Sequence, residues 1–297
     1  MTRPNLFIVG APRSGTTSMF NYLKAHPEIA MGARKEPHFF SDDLIDPDFV
    51  RDEADYLAIF RERGDRPFVG EGSVWYLYSH RAAKRIHEFN PDARIIALLR
   101  NPVDMLPSIH THHVYTGYQA VEDFVTAYHS HGMVRERCGS FRSHLDYSKV
   151  ARYGDQLERF FGRFSREAIH VSLYDDLKSD ASQVYGSIID FVGLRPGHEL
   201  AFKRLNRQRR IRSEAVARLH RRMTSRMAAS PSPSTRPGAV LRKGVAVVNR
   251  LIGRLNAAEI TSRPLTPRMR REIIADYRHD ILKLSDLIGR DLSHWLE

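Results

Sequence analysis

Between Gly10 and Thr17 the chain reads Gly10-Ala11-Pro12-Arg13-Ser14-Gly15-Thr16-Thr17, with one guanidinium, three hydroxyls and two glycines in eight residues. Backbone N–H groups in a glycine-containing turn, a helix N-terminus and a fixed cation together make an anion cradle. Hydroxyls add donors suited to phosphate oxygens. Pro12, Arg13, Ser14, Gly15, Thr16 and Thr17 are therefore the candidate phosphate-binding group. Further on, Arg34-Lys35-Glu36-Pro37-His38-Phe39-Phe40 gathers two cations, a carboxylate and an imidazole, and either Glu36 or His38 could take a proton from a hydroxyl. A second arginine, Arg100, opens Arg100-Asn101-Pro102, with Ser108 eight residues after it. His110, His112 and His113 have no carboxylate or cysteine nearby to complete a metal set, so no metal site is expected.

These groups need a scaffold that presents loops at one edge. Leu6–Val9 is a continuous apolar run, as expected of a strand covered on both faces in a parallel sheet. Thr16–Ala25 reads as the helix that packs back on it, ending before His26-Pro27. Ile29–Met31, Phe68–Ser73, Arg94–Leu99 and Ala168–Leu173 read as further strands. Asp48–Arg63, Ser79–Phe89, Val121–Arg135, Tyr147–Phe161 and Ala181–Val192 read as helices, and Pro102 suits the first turn of another that carries Ser108. Strands alternating with helices predict an α/β fold: a P-loop-like doubly wound parallel sheet flanked by helices, with ligands at the carboxyl ends of the strands. The expected organisation is a single domain over residues 1–297, with an α/β core over 5–195 and a helical C-terminal part over 196–297. In that part, residues 228–238 read as a mobile Ser/Pro-rich loop, and Ala239–Asn256 and Pro267–Ile288 as amphipathic helices.

The spacing of Gly10 and Gly15 matches the first half of the nucleoside-triphosphate loop G-x-x-x-x-G-K-[ST], but Thr16 stands where the lysine should be. The cation is inside the loop instead, as Arg13. Such a loop suits a 5′-phosphate-like anion better than a metal-bound triphosphate. A P-loop-type nucleotide kinase and a non-catalytic anion-binding module remain as alternatives.

The formal charge of +11 over 297 residues points to an anionic ligand, partner or surface. No zinc-finger spacing or RNA-binding signature appears, so nucleic acid is not the expected partner. The single Cys138 excludes an internal disulfide framework. With no apolar run near 18 residues and strand one beginning within about five residues, a cytoplasmic protein is expected.

Taken together, these stretches resemble the sulfotransferases that use 3′-phosphoadenosine 5′-phosphosulfate (PAPS), in the bacterial and glycosaminoglycan-type branch. Gly10–Met19 is similar to the family's 5′-phosphosulfate loop, with Arg13 where the family has its loop Lys or Arg. Leu99-Arg100-Asn101-Pro102 with Ser108 is similar to the 3′-phosphate motif. Lys35-Glu36-Pro37-His38-Phe39-Phe40 resembles K-E-x-H-F-F, whose glutamate is the proposed base. Tyr174-Asp175-Asp176-Leu177 resembles Y-E-D-L, whose tyrosine lies by the adenine. The resemblance spans about residues 5–195. It implies sulfuryl transfer from PAPS, in line and without a metal, to a hydroxyl of a carbohydrate, a glycolipid or a small lipophilic acceptor. The implied catalytic residues are Glu36, Arg13 and His38, and the implied product is adenosine 3′,5′-bisphosphate.

Two departures stand out. Many carbohydrate enzymes carry E-K-[ST]-P-x-Y after a strand, whereas this chain has Glu71-Gly72-Ser73-Val74-Trp75-Tyr76 and lacks that lysine. Arg242-Lys243-Gly244 has the letters of an R-K-G that binds the 3′-phosphate in cytosolic members, but it falls inside an amphipathic helix pattern, where a solvated basic face is the other reading. That helix, with the loop before it, either packs on the core or forms a flap over the acceptor that touches an anionic membrane.

Overall fold

The structure, a computed structural model, describes residues 3–62, 64–130, 140–195, 202, 209–211, 257–259 and 265–297. Its centre is β1 (Leu6–Gly10), in which every residue is buried. Side chains alternate across a strand, so Phe7 and Val9 enter one core while Leu6 and Ile8 enter another on the opposite face. That two-sided burial is why the run is apolar without alternation. β2 (Ile29–Met31), β3 (Phe68–Gly72), β4 (Arg94–Leu99) and β5 (Ile169–Leu173) join it in the order β2-β3-β1-β4-β5, with every pairing parallel. The chain leaves β1 for β2 on one side and later reaches β4 on the other. The carboxyl end of β1 is thus the switch point, where a parallel sheet opens a crevice.

α1 (Thr16–Lys24) and α8 (Ala181–Phe191) cover the Leu6/Ile8 face. The Phe7/Val9 face is covered by α3 (Ala82–Phe89), α4 (Pro102–Thr116), α6 (Tyr153–Phe161) and α9 (Pro267–Ile288). α2 (Glu53–Ala58), α5 (Phe124–His129) and α7 (Tyr174–Ser179) are single short helices in the connections. Each of α2, α4, α5, α8 and α9 begins on a side chain that accepts from the first-turn N–H groups: Asp52, Asn101, Asp123, Asp180 and Thr266. α9 also reaches across to α6, where buried Asp280 accepts from the amides of Gly154 and Asp155, each at 3.0 Å. A carboxylate supplied from another helix thereby satisfies the orphan donors of α6.

Several boundaries differ from the sequence reading. The helix expected over 48–63 is confined to Glu53–Ala58. Asp52 sets its start, and Phe49 and Val50 bury themselves from the preceding loop instead of from a helix face. The helix expected from Tyr147 begins at Tyr153, because Asp146 folds the entry into a turn by accepting from the amide and hydroxyl of Ser148. The C-terminal part is not wholly helical: β6 (Arg209–Ile211) and β7 (Ala257–Glu259) pair antiparallel. The loop 228–238, the helix expected over 239–256, and with it Arg242-Lys243-Gly244, lie outside the described residues. Among the described residues no helix is long and apolar enough to cross a membrane.

Candidate active site

The loop after β1 turns on Gly15, which has φ +84° and serves as the N-cap of α1. Only glycine takes this conformation without cost. A Cβ there would also lie 2.3 Å from Leu177 Cδ2 and 3.5 Å from the Tyr174 ring. Gly15→Ala is therefore expected to lower stability by about 1–2 kcal/mol from backbone strain alone, and by more once Leu177 is displaced. The denaturant midpoint of the variant measures the loss.

Arg13 leads the loop side chains. Its backbone is left-handed, at φ 60°, and its Nε donates to Ser108 Oγ at 3.1 Å. Ser108 lies on α4, which begins where β4 ends, so the helix brings its hydroxyl back over the loop. Arg100, at the carboxyl end of β4, donates to the Arg13 carbonyl at 3.3 Å and lies 4.7 Å over the Tyr174 ring. Its Nε is buried with no partner. Burial lowers the Arg13 pKa and repulsion from Arg100 lowers it further, against weaker pulls from Tyr174 and Glu36. Two guanidinium groups this close repel each other, and an anion bound between them would relieve that repulsion. Ser14 is fully buried and donates to the Pro12 carbonyl at 3.3 Å, and Thr16 is buried at the start of α1. Thr17 occupies the next position of that first turn, partly exposed.

The Lys35–His38 segment faces this loop, near enough for the Glu36 charge to act on Arg13. Lys35 Nζ sits 2.5 Å from Glu36 Oε1, and His38 Nε2 is 3.7 Å from Glu36 Oε2. Burial would raise the Glu36 pKa, but Lys35 and then His38 outweigh it and hold the carboxyl well below the usual range. Glu36 keeps 38% of its side chain exposed, whereas His38 is fully enclosed. The His38 ring packs 4.3 Å from Phe49, its two nitrogens have no hydrogen-bond partner, and burial lowers its pKa. The two residues left open as bases by the sequence therefore differ sharply in access.

Two residues that the sequence reading placed in neither the phosphate-binding nor the base group join the cleft. Tyr153, first in α6, buries a hydroxyl without a partner beside Ser14 and Arg100. His112 lies one helical turn after Ser108, on the same stripe of α4. Its ring reaches solvent while protein surrounds it on most sides, and that burial, with Arg13 next, pushes its pKa down to about 4. The four-residue spacing from Ser108 was a usable signal for His112. Nothing in the sequence marks Tyr153. Of the other two histidines, His110 bonds the Tyr147 hydroxyl and the Glu122 carbonyl, and His113 is buried. Among the described residues no group of three or more potential ligands could hold a metal ion.

A sequence profile described as a sulfotransferase domain matches residues 3–218. Heparan sulfate glucosamine 3-O-sulfotransferase 6 of Homo sapiens is 26% identical over 201 residues, which is 65% of this chain and 53% of that protein. Carbohydrate sulfotransferase 15 of Rattus norvegicus is 24% identical over 254 residues, covering 65% and 44% respectively. The chain thus spans about half the length of the curated relatives it matches. Among solved structures, that of a sulfotransferase from Alicyclobacillus acidocaldarius aligns over 100% of both chains, with 26% identity and a TM-score of 0.71. With the loop, the paired arginines and the parallel sheet already in place, the match over residues 3–218 assigns the chain to the sulfotransferase family.

Proposed function

We propose that the protein transfers a sulfuryl group from PAPS to a hydroxyl of a carbohydrate, a glycolipid or a small lipophilic acceptor. The observation that carries this reading is the half-buried meeting of Arg13 and Arg100 on the loop, with Arg100 Nε enclosed and unpartnered. A bisphosphorylated nucleotide supplies an anion for each guanidinium. In this reading the amides and hydroxyls of Pro12–Thr17 surround the 5′-phosphosulfate, Arg100 and Ser108 hold the 3′-phosphate, and Tyr174 lies under the adenine. Arg242, Lys243 and Gly244 are further candidates for the 3′-phosphate. The acceptor oxygen attacks sulfur as the bond to the 5′-phosphate oxygen breaks. Negative charge then grows on that leaving oxygen, where Arg13 and the N-terminus of α1 stabilise it. The acceptor proton passes to Glu36, and His38 acts from behind as its neighbour.

The relatives named for glucosamine and carbohydrate sulfation support a carbohydrate acceptor, and the open side of Glu36 leaves room for such a molecule. The protein is further proposed to work in the cytoplasm. The kinase alternative lacks support from the loop, because Thr16 occupies the lysine position.

Adenosine 3′,5′-bisphosphate is expected to raise the melting temperature without added Mg²⁺. The gain should correspond to about 2.7 kcal/mol at a hundredfold excess over its Kd. Sulfur-labelled PAPS should then label one of three probes: a heparan sulfate oligosaccharide, a simple sugar glycoside or 4-nitrophenol. A melting shift with ATP–Mg²⁺ and none with the bisphosphate would overturn the reading.

A further inference from the structure

Glu36 and His38 flank Pro37, and both hold left-handed backbones, at φ 63° and 53°. Non-glycine residues in this region cost about 1–3 kcal/mol each and persist only where the surroundings enforce them. The enforcement is visible. Three alternate amides of the segment are pinned to the end of β3 and the turn after it: Glu36 N donates to Gly72 O at 2.9 Å, His38 N to Ser73 Oγ at 3.0 Å, and Phe40 N to Tyr76 OH at 3.3 Å. Two of the three acceptors are hydroxyl oxygens. A hydroxyl rotates, and it accepts from an amide reliably only if its own proton is held elsewhere.

The group that holds the Ser73 proton is Glu71, at the end of β3. Ser73 Oγ donates to Glu71 Oε2 at 3.4 Å, and the Tyr76 hydroxyl, on the same turn, is close enough to feel the charge of this carboxyl. Glu71 is fully buried, and its other oxygen, Oε1, has no partner. We propose that Glu71 is a positioning residue for the candidate base: by taking the hydroxyl proton of Ser73, it turns the Ser73 lone pairs to the amide of His38 and so keeps the neighbouring Glu36 carboxylate aimed into the cleft. The proposal rests on the sulfotransferase reading only in what the turn is for.

The charge state of Glu71 matters to this arrangement. Burial raises its pKa to about 8, against weaker pulls from Tyr76, Ser73 and Lys35. The neutral acid therefore prevails at pH 7, with Oε1 left to carry the proton. Besides Lys35 from the Glu36 segment and Tyr76 from its own turn, the titratable group facing it is Tyr56 of α2. Ionisation above pH 8 places a second carboxylate near Lys35 and draws that ammonium from Glu36.

A carboxyl whose folded pKa is raised stabilises the fold fully below its unfolded value of 4.5, and that contribution is lost as pH rises through about 8. Glu71→Gln removes this dependence. Melting of the full chain from pH 5 to 9.5 should show the Gln variant gaining on wild type as pH rises and exceeding it above pH 8. In turnover, with PAPS and whichever of the three probes labels fastest, wild type should decline above pH 8 and the Gln variant should lose that limb. Glu71→Leu, which cannot accept the Ser73 proton, should cut turnover at pH 7 by about tenfold, equivalent to about 1.4 kcal/mol. Its bisphosphate Kd should stay within about twofold, since the loop after β1 keeps its own contacts. A Gln variant that keeps the wild-type alkaline limb, or a folded Leu variant with wild-type turnover, overturns the proposal. If no protein moves label while the melting curves separate as described, the sulfotransferase reading fails and the tether stands.

Discussion

Arg13→Ala is expected to lower sulfuryl transfer by about 10²–10³-fold, the range found when one preorganised donor to a developing negative charge is removed. Binding and leaving-group departure both place negative charge at the 5′-phosphate, but departure concentrates it on the bridging oxygen, so a cation fixed there favours the transition state over the ground state. Arg13 is fixed: Ser108 holds its Nε, its carbonyl receives Arg100, and its backbone is already left-handed. No reorganisation remains when the bond breaks. Bisphosphate affinity should fall as well, since the same cation contacts the product. Arg13→Lys should recover part of the rate but not the Ser108 contact, because the ammonium lacks the planar fork that meets a hydroxyl and an oxyanion together. Single-turnover rates with saturating PAPS, beside bisphosphate titrations, separate the two losses. An alanine variant with near-normal single-turnover rate and weak binding would make Arg13 a binding residue alone.

The candidate site was legible because its residues are grouped locally in the sequence. Gly10–Thr17, Lys35–His38, Arg100 and Ser108 each follow an element whose bounds a continuous apolar run or a capping residue defines, and β2, β4 and α9 lie where the pattern put them. What the sequence could not show is burial imposed from a distance. Phe49 looks like part of a helix face, yet it packs on His38 from a loop. Glu71 reads as a polar end of a strand, and only the fold reveals that no water reaches it. Tyr153 lies at the start of a helix that borrows its cap from Asp280, 126 residues away in the chain. Such partners have no spacing to detect.

Glu36→Gln should reduce turnover by about 10²–10⁴-fold, the worth of a positioned general base, while leaving bisphosphate affinity nearly unchanged. Access decides between the two candidates. Glu36 opens to the cleft, whereas the fully enclosed His38 ring would need Phe49 to move before it met an acceptor. The pH dependence then tests the assignment with its sign. Lys35 and His38 overcome burial and depress the Glu36 pKa, so in the free enzyme the carboxylate persists below the usual range of about 4.3. The acid limb of kcat/KM is expected there, and the Lys35–Glu36 pair likewise contributes stability above the unfolded pKa that is lost as pH falls through the folded one. A carboxylate so acidic is a weak base, but the cofactor changes that. Its phosphates bring negative charge beside Arg13 and Lys35, which weakens the cations' hold on Glu36 and raises its affinity for the acceptor proton. The acid limb of kcat should accordingly lie at higher pH than that of kcat/KM. Coincident limbs would mean that the bound nucleotide leaves Glu36 unaffected, and near-normal turnover in the Gln variant would pass the role of base to His38 or another group.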